Sequence, residues 1–266
     1  MPPWSGAVPH YRPIHPIAAI CIVFAIHCVL LAVLKIYRRR FNPDPEYLRK
    51  VPHIAMGLVT LTFPWLFAET WPVVVLTAAA GLLLVIVKAP GPLRTLMGEV
   101  VDGVKRDSLG DVYFPIAVAV LFWLTNNGDP AKRILYYVPI LLLTLADAAA
   151  ALIGKRFGRR RFSTRDGSKS LEGSLACLIV AFLCIYVPLA ISYREQIHNL
   201  LIAALTAQLV TVLEAVAWRG LDNLFIPFGA YLALRMYNSI GNSAIVAHLA
   251  VFDLLAFAAI LWLRRG

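Results

Sequence analysis

The run IAAICIVFAIHCVLLAVLKIY at 17–37 constrains the chain more than any other feature. At 1.5 Å per residue it covers ~30 Å as a helix, the thickness of a bilayer core. Backbone groups in hydrocarbon must be satisfied within the segment, which leaves a helix or a closed barrel. Its apolar residues are continuous rather than alternating, which disfavours the barrel. It is too long for a signal-peptide core and is followed by RRR at 38–40, so we expect it to be retained.

Similar runs recur along the chain. We expect nine spans, at 17–37, 51–68, 72–88, 112–125, 134–154, 175–193, 199–218, 223–239 and 244–263. Composition agrees: 60% of residues are hydrophobic and 15% charged, against roughly 25% charged in soluble domains. The expected fold is all-α, a polytopic transmembrane helical bundle. Neither linkers nor repeats divide it, so 1–266 is read as a single integral membrane domain.

The net charge of +10 would suggest a nucleic-acid partner only if topology were ignored. In a membrane protein Lys and Arg report which loops stay in the cytoplasm. With the N-terminus outside, the inner loops and span ends hold 20 of the 25 Lys and Arg residues. Arg38, Arg39, Arg40, Arg49 and Lys50 are among them. Arg12, Lys132, Arg133, Arg194 and Arg235 remain on the outer side or within a span. We therefore expect the N-terminus outside, the C-terminus in the cytoplasm and no nucleic-acid partner. Cys21, Cys28, Cys177 and Cys184 lie within apolar spans without metal-site spacing and read as small packing residues. The inner segment 88–111 reads equally as an interfacial helix after Pro92 or as a solvated loop.

Once this topology is drawn, the unusual polar residues converge. Asp147 precedes Lys155 by eight residues, ~12 Å from the inner end of its helix. Glu214 lies roughly one turn inside the same face. Asp222 and Asn223 occupy one inner loop, and Lys169, Ser170 and Glu172 another. His53 begins the second span. An acid in a span costs ~2.5–3.5 kcal/mol on insertion scales, so it is rarely unpaired. Each residue alone also has a purely structural reading: a buried partner for Asp147, a polar packing seam for Glu214, an interfacial histidine for His53. Ala151 and Gly154 form a small-residue stripe that admits a close neighbouring helix. Arg235 and Asp253 fall at similar depth, and we expect them to form a structural ion pair. His27 and His248 read as packing residues.

Carboxylates facing a basic, glycine-containing loop suit a metal–polyphosphate site. Mg²⁺ takes oxygen ligands, commonly one or two carboxylates plus substrate phosphates. Phosphoryl transfer needs positioning and neutralisation of charge above all. Lys169 suits a point contact to phosphate, and backbone N–H groups near Gly167 or Gly173 suit further donors. A carboxylate near the acceptor would orient or deprotonate a hydroxyl. Neither G-x-x-x-x-G-K-[ST] nor G-x-G-x-x-G occurs, which argues against a P-loop or protein-kinase mechanism.

At these residues the sequence resembles the dolichol/polyprenol kinase and phytol kinase family of CTP-dependent lipid kinases. RKVPHIAMG (49–57) is similar to that family's R-K-x-x-H-x-x-x-G, and ADAAAALIGKRFG (146–158) to its aspartate and G-x-x-x-G helix end. KSLEGS (169–174) resembles its K-[ST]-x-E-G-S loop, and DNLFIP (222–227) its D-N-x-x-x-P segment. DSLGDVYFPIAVAVLF (107–122) is similar to its Gly-then-aromatic start of a span. The resemblance implies transfer of the CTP γ-phosphate to a membrane alcohol with Mg²⁺. It makes Asp147 and Glu214 candidate metal ligands, and Lys169 with Arg165 phosphate contacts. Ser170, Gly173, Glu172, Asp222 and Asn223 would complete the nucleotide or metal site, and His53 would sit near the acceptor hydroxyl. The catalytic set would be Asp147, Lys169, Glu172, Glu214 and His53.

Two other functions are weighed. Phosphatidate cytidylyltransferases share the Asp…G-x-x-x-G…K-[ST]-x-E-G pattern but end in H-G-G and D-R, where this chain reads WRGLDNLFIPFG (218–229). An ion-coupled transporter would use Asp147, Glu214 and Asp253 as its path, yet neither inverted repeats nor paired broken helices appear. The expected location is a membrane crossed several times, the inner membrane in a bacterium or an endomembrane in a eukaryote. The acceptor alcohol and the oligomeric state are not legible.

Overall fold

The computed structural model describes residues 14–88, 109–126, 129–165 and 167–263. These residues are almost wholly helical, with a helix at each expected span. The helices are α1 (Pro16–Phe41), α2 (Pro45–Thr60), α3 (Trp71–Lys88), α4 (Gly110–Thr125) and α5 (Ile134–Phe157), then α6 (Leu171–Ser192), α7 (Gln196–Val216), α8 (Asp222–Tyr237) and α9 (Asn242–Leu263). One extra turn, Phe63–Leu66, follows α2. Four helices, α1, α5, α6 and α7, are long and apolar enough to cross a membrane; shorter apolar helices are Trp71–Ile86, Gly110–Thr125 and Asn242–Ala256. Most of the inner segment 88–111 lies outside the described residues.

Local chemistry explains the boundaries. Asp44 caps α2 by accepting from the Glu46 N–H at 2.9 Å, and Pro45 supplies the first helical residue. That start is six residues earlier than the expected second span, so Arg49 and Lys50 are helical rather than in a loop. Ser170 caps α6 by accepting from the Gly173 N–H at 3.1 Å.

Helix α5 is the axis of the molecule. Its Val138, Leu142 and Ala146 enter one apolar cluster with α6, α7 and α8, built on Cys177, Ala181, Ile202, Ala207, Val210 and Ile226. Its Tyr136, Ile140 and Leu143 enter a second cluster with α1, α3 and α4, including Val23, Val73, Ala117 and Leu121. By contrast α1 buries only Ala19, Val23 and Leu34 and exposes Phe24, Val29 and Ile36, as a helix facing lipid does. Cys177 and Cys184 are buried as expected, whereas Cys21 and Cys28 are exposed.

Two departures from regular helix matter for the site. Within α5 the segment Leu142–Ala146 is π-helical, directly after Pro139 has removed one backbone donor. The basic loop after α5 is a β-hairpin, with β1 (Arg161–Thr164) antiparallel to β2 (Gly167–Ser170). Gly167 has φ 131°, a conformation that L side chains rarely adopt, and it begins the return strand.

The expected Arg235–Asp253 ion pair is not formed. Arg235 Nη1 lies 3.5 Å from the Tyr231 hydroxyl, while Asp253 accepts from Gln208 Nε2 at 3.1 Å. Depth alone had matched the two residues; the helix faces that carry them select these other partners. His27 Nδ1 lies 2.7 Å from the Val23 carbonyl, and His248 packs on the Tyr237 ring.

Candidate active site

The centre is the contact of α2 with the π-helical part of α5. Lys50, His53 and Gly57 recur at helical spacing and share one face of α2. A Cβ on Gly57 would lie 2.1 Å from Thr144 Oγ1, so glycine lets α2 approach the π segment closely. Lys50, only 1% exposed, donates from Nζ to Asp147 Oδ2. His53 Nε2 lies 2.8 Å from the Leu143 carbonyl and 3.4 Å from Asp147 Oδ2. The Phe114 ring meets the imidazole at a centroid distance of 5.1 Å. Asp147 is thus a buried carboxylate with a buried ammonium partner, the pairing that burial of charge demands.

A second lysine–carboxylate pair stands beside it. Lys169, on β2, donates to Glu214 Oε1 at 2.7 Å and also to the Glu214 carbonyl oxygen. It ties the hairpin to the end of α7. Asp147 and Asp222 both lie within electrostatic reach of Glu214 and of Arg49, which places the three acids in one neighbourhood. At the start of α8, Asp222 Oδ1 accepts from the Asn223 N–H at 3.0 Å. Asn223 donates from Nδ2 to the Gly110 carbonyl at 2.9 Å, and its buried Oδ1 has no hydrogen-bond partner among the described residues.

The remaining expected site residues are engaged by the fold. Both Glu172 oxygens accept from backbone: Oε2 from Arg159 N–H at 3.1 Å and Oε1 from Arg160 N–H at 3.2 Å. Ser170 is the α6 cap. Gly173 permits close packing, since a Cβ there would stand 2.7 Å from the Ala150 carbonyl and 3.1 Å from Gly154 Cα. Gly154 and Gly158 likewise leave room for Ser170, so the small-residue stripe of α5 receives the K-S-L-E-G-S turn. Arg165 lies over the Trp218 ring, 4.5 Å from its centroid.

Among the described residues, no three His, Cys, Asp or Glu side chains cluster as a ready-made metal site. The donor chemistry nonetheless fits Mg²⁺. Asp147 and Glu214 each give one oxygen to a lysine, and their second oxygens accept no hydrogen bond among the described residues. With the orphaned Asn223 Oδ1 these are hard oxygen donors of the kind Mg²⁺ takes alongside phosphate.

Sequence reasoning missed Lys50 as a member of this site. The signal was present: Asp44-Pro45-Glu46 is a helix start, and continuing that helix puts Lys50 three residues before His53 on one face.

Comparison with known proteins identifies the family of the chain. The model of the cytidylyltransferase family matches residues 14–261. A phytol kinase of Synechocystis sp. is 30% identical over 206 residues, covering 77% of this chain and 84% of that protein. The dolichol kinase sec59 of Schizosaccharomyces pombe is 32% identical over 123 residues, covering 45% of this chain and 23% of that protein. No solved structure matches the chain significantly.

Proposed function

The chain belongs to the cytidylyltransferase family, alongside the phytol and dolichol kinases, and from that premise we propose that it is a lipid kinase. It transfers the γ-phosphate of CTP to the hydroxyl of a membrane lipid alcohol such as phytol, farnesol, a polyprenol, dolichol or diacylglycerol. The observation that carries this reading is the meeting of two lysine–carboxylate pairs, Lys50–Asp147 and Lys169–Glu214, in one neighbourhood. Positive charge and oxygen donors side by side are what a polyphosphate with its counter-cation requires.

In this mechanism the hairpin binds the donor. Lys169 leaves Glu214 and becomes a point charge on the phosphates, with Arg165 as a second contact. Asp147 and Glu214 would hold Mg²⁺, with Asp222 and Asn223 beside them; the ion, when bound, would neutralise charge on the phosphate oxygens. Lys50 holds Asp147 in place. His53, steadied by the Leu143 carbonyl, orients the acceptor hydroxyl at the π segment. The chain crosses the membrane nine times with its N-terminus outside, so the site opens to cytoplasmic CTP while the alcohol's hydrocarbon stays in the bilayer.

The test incubates purified protein with γ-labelled CTP, Mg²⁺ and a panel of lipid alcohols. Labelled lipid phosphate is the expected product. Failure to label any alcohol would remove the proposal.

A further inference from the structure

Trp218 stands in this neighbourhood, and the reaction as described leaves it idle. It follows Glu214 by four residues, at the point where α7 ends and the chain turns towards α8. Its position is set by backbone: the Leu221 N–H donates to the Trp218 carbonyl at 3.0 Å, and the Leu109 N–H donates to the Arg219 carbonyl at 3.3 Å. Arg219 and Gly220 take φ values of 52° and 82°, two consecutive residues in the left-handed region. A non-glycine residue there is costly, so this turn is held by its surroundings. Phe225 meets the indole at 74° with centroids 6.3 Å apart. The ring is therefore fixed and half-buried, and one face carries the exposed Arg165 of the hairpin turn.

An exposed planar guanidinium over an indole face shows that this face can receive a flat, electron-poor group. This face lies against the hairpin whose Lys169 reaches Glu214, one turn of chain away. Resting on the kinase reading above, we propose that Trp218 is the stacking surface for the base of the nucleoside triphosphate donor. Arg165 occupies that face until the nucleotide arrives and then turns to the phosphates. Base stacking tolerates any nucleobase, so Trp218 supplies donor affinity, and selection among bases rests on other groups.

The experiment measures binding of CTP with Mg²⁺ to the full-length, detergent-solubilised protein by calorimetry, comparing wild type with Trp218→Leu, Trp218→Phe and Arg165→Ala. Leucine keeps apolar bulk without a π face, and its Kd should rise roughly 10- to 100-fold. Phenylalanine keeps the face and should stay within about threefold of wild type. Arg165→Ala should weaken CTP binding while leaving cytidine binding unweakened. Trp218→Leu binding CTP as wild type does would overturn the inference and leave the kinase reading intact. Equal losses in the leucine and phenylalanine variants would assign the ring to packing or to membrane-interface anchoring, and would overturn it as well. Wild-type protein that binds no CTP would overturn both readings.

Discussion

The two lysine–carboxylate pairs are alike in chemistry and opposite in setting. Lys50 and Asp147 have side chains 1% and 4% exposed and join two helices inside the bundle. Lys169 and Glu214 are 24% and 8% exposed and join a hairpin to a helix end. Withdrawing one partner from the first pair strands an almost wholly buried charge. Lys169 can leave Glu214 and still meet water or phosphate. The first pair fixes where α2 stands against the π segment, and the second is the one that substrate can remodel.

The largest effect should come from breaking the buried pair alone. Lys50→Met leaves Asp147 unpaired and should cost about 3–5 kcal/mol of stability, read from thermal or denaturant unfolding in detergent. Combining Lys50→Met with Asp147→Leu should restore most of that stability while kinase activity stays lost. A double variant as unstable as the single would mean that the pair is not the source of the cost.

Lys169→Ala should do the reverse. We expect kcat/KM for CTP to fall at least about 100-fold, with a much smaller change in unfolding than Lys50→Met produces. Equal stability losses at the two lysines would erase the distinction between the pairs. Gly57→Ala sharpens it from the packing side, because the new methyl meets Thr144. The expected cost is about 1–3 kcal/mol, partly recovered by adding Thr144→Ala.

The smallest effect belongs to Asp44, the cap of α2. The Glu46 N–H holds its carboxyl below the ordinary aspartate range. A depressed folded-state value means that its contribution is complete at neutral pH and is lost as pH falls through that value. An unfolding series towards acid should show this loss in wild type, with a smaller one in Asp44→Ala.

Legibility followed the physics of each element. Long apolar runs announce helices, so every expected span coincides with one, and the convergence of His53, Asp147, Lys169, Glu214, Asp222 and Asn223 came from placing spare polar residues on that scaffold. Lys50 was hidden because a lysine beside a span reads as an orientation charge, and only the early start at Pro45 turns it inward. The π turn at Leu142–Ala146 has no code of its own beyond the preceding Pro139. Glu172 and the Arg235–Asp253 pair show the other gap. Residue type and depth give a charge its price, but the direction of a side chain chooses its partner. Glu172 turned to the Arg159 and Arg160 amides, and Asp253 turned to Gln208.

The most direct test of kinase chemistry follows both ends of the nucleotide. Parallel reactions of the wild-type protein with α-labelled and γ-labelled CTP, a lipid alcohol and phosphatidate separate the two chemistries of this family. The expected result is γ-label in the phosphorylated alcohol and α-label remaining in soluble CDP. Lipid carrying the α-label with release of pyrophosphate would contradict it and make the protein a cytidylyltransferase.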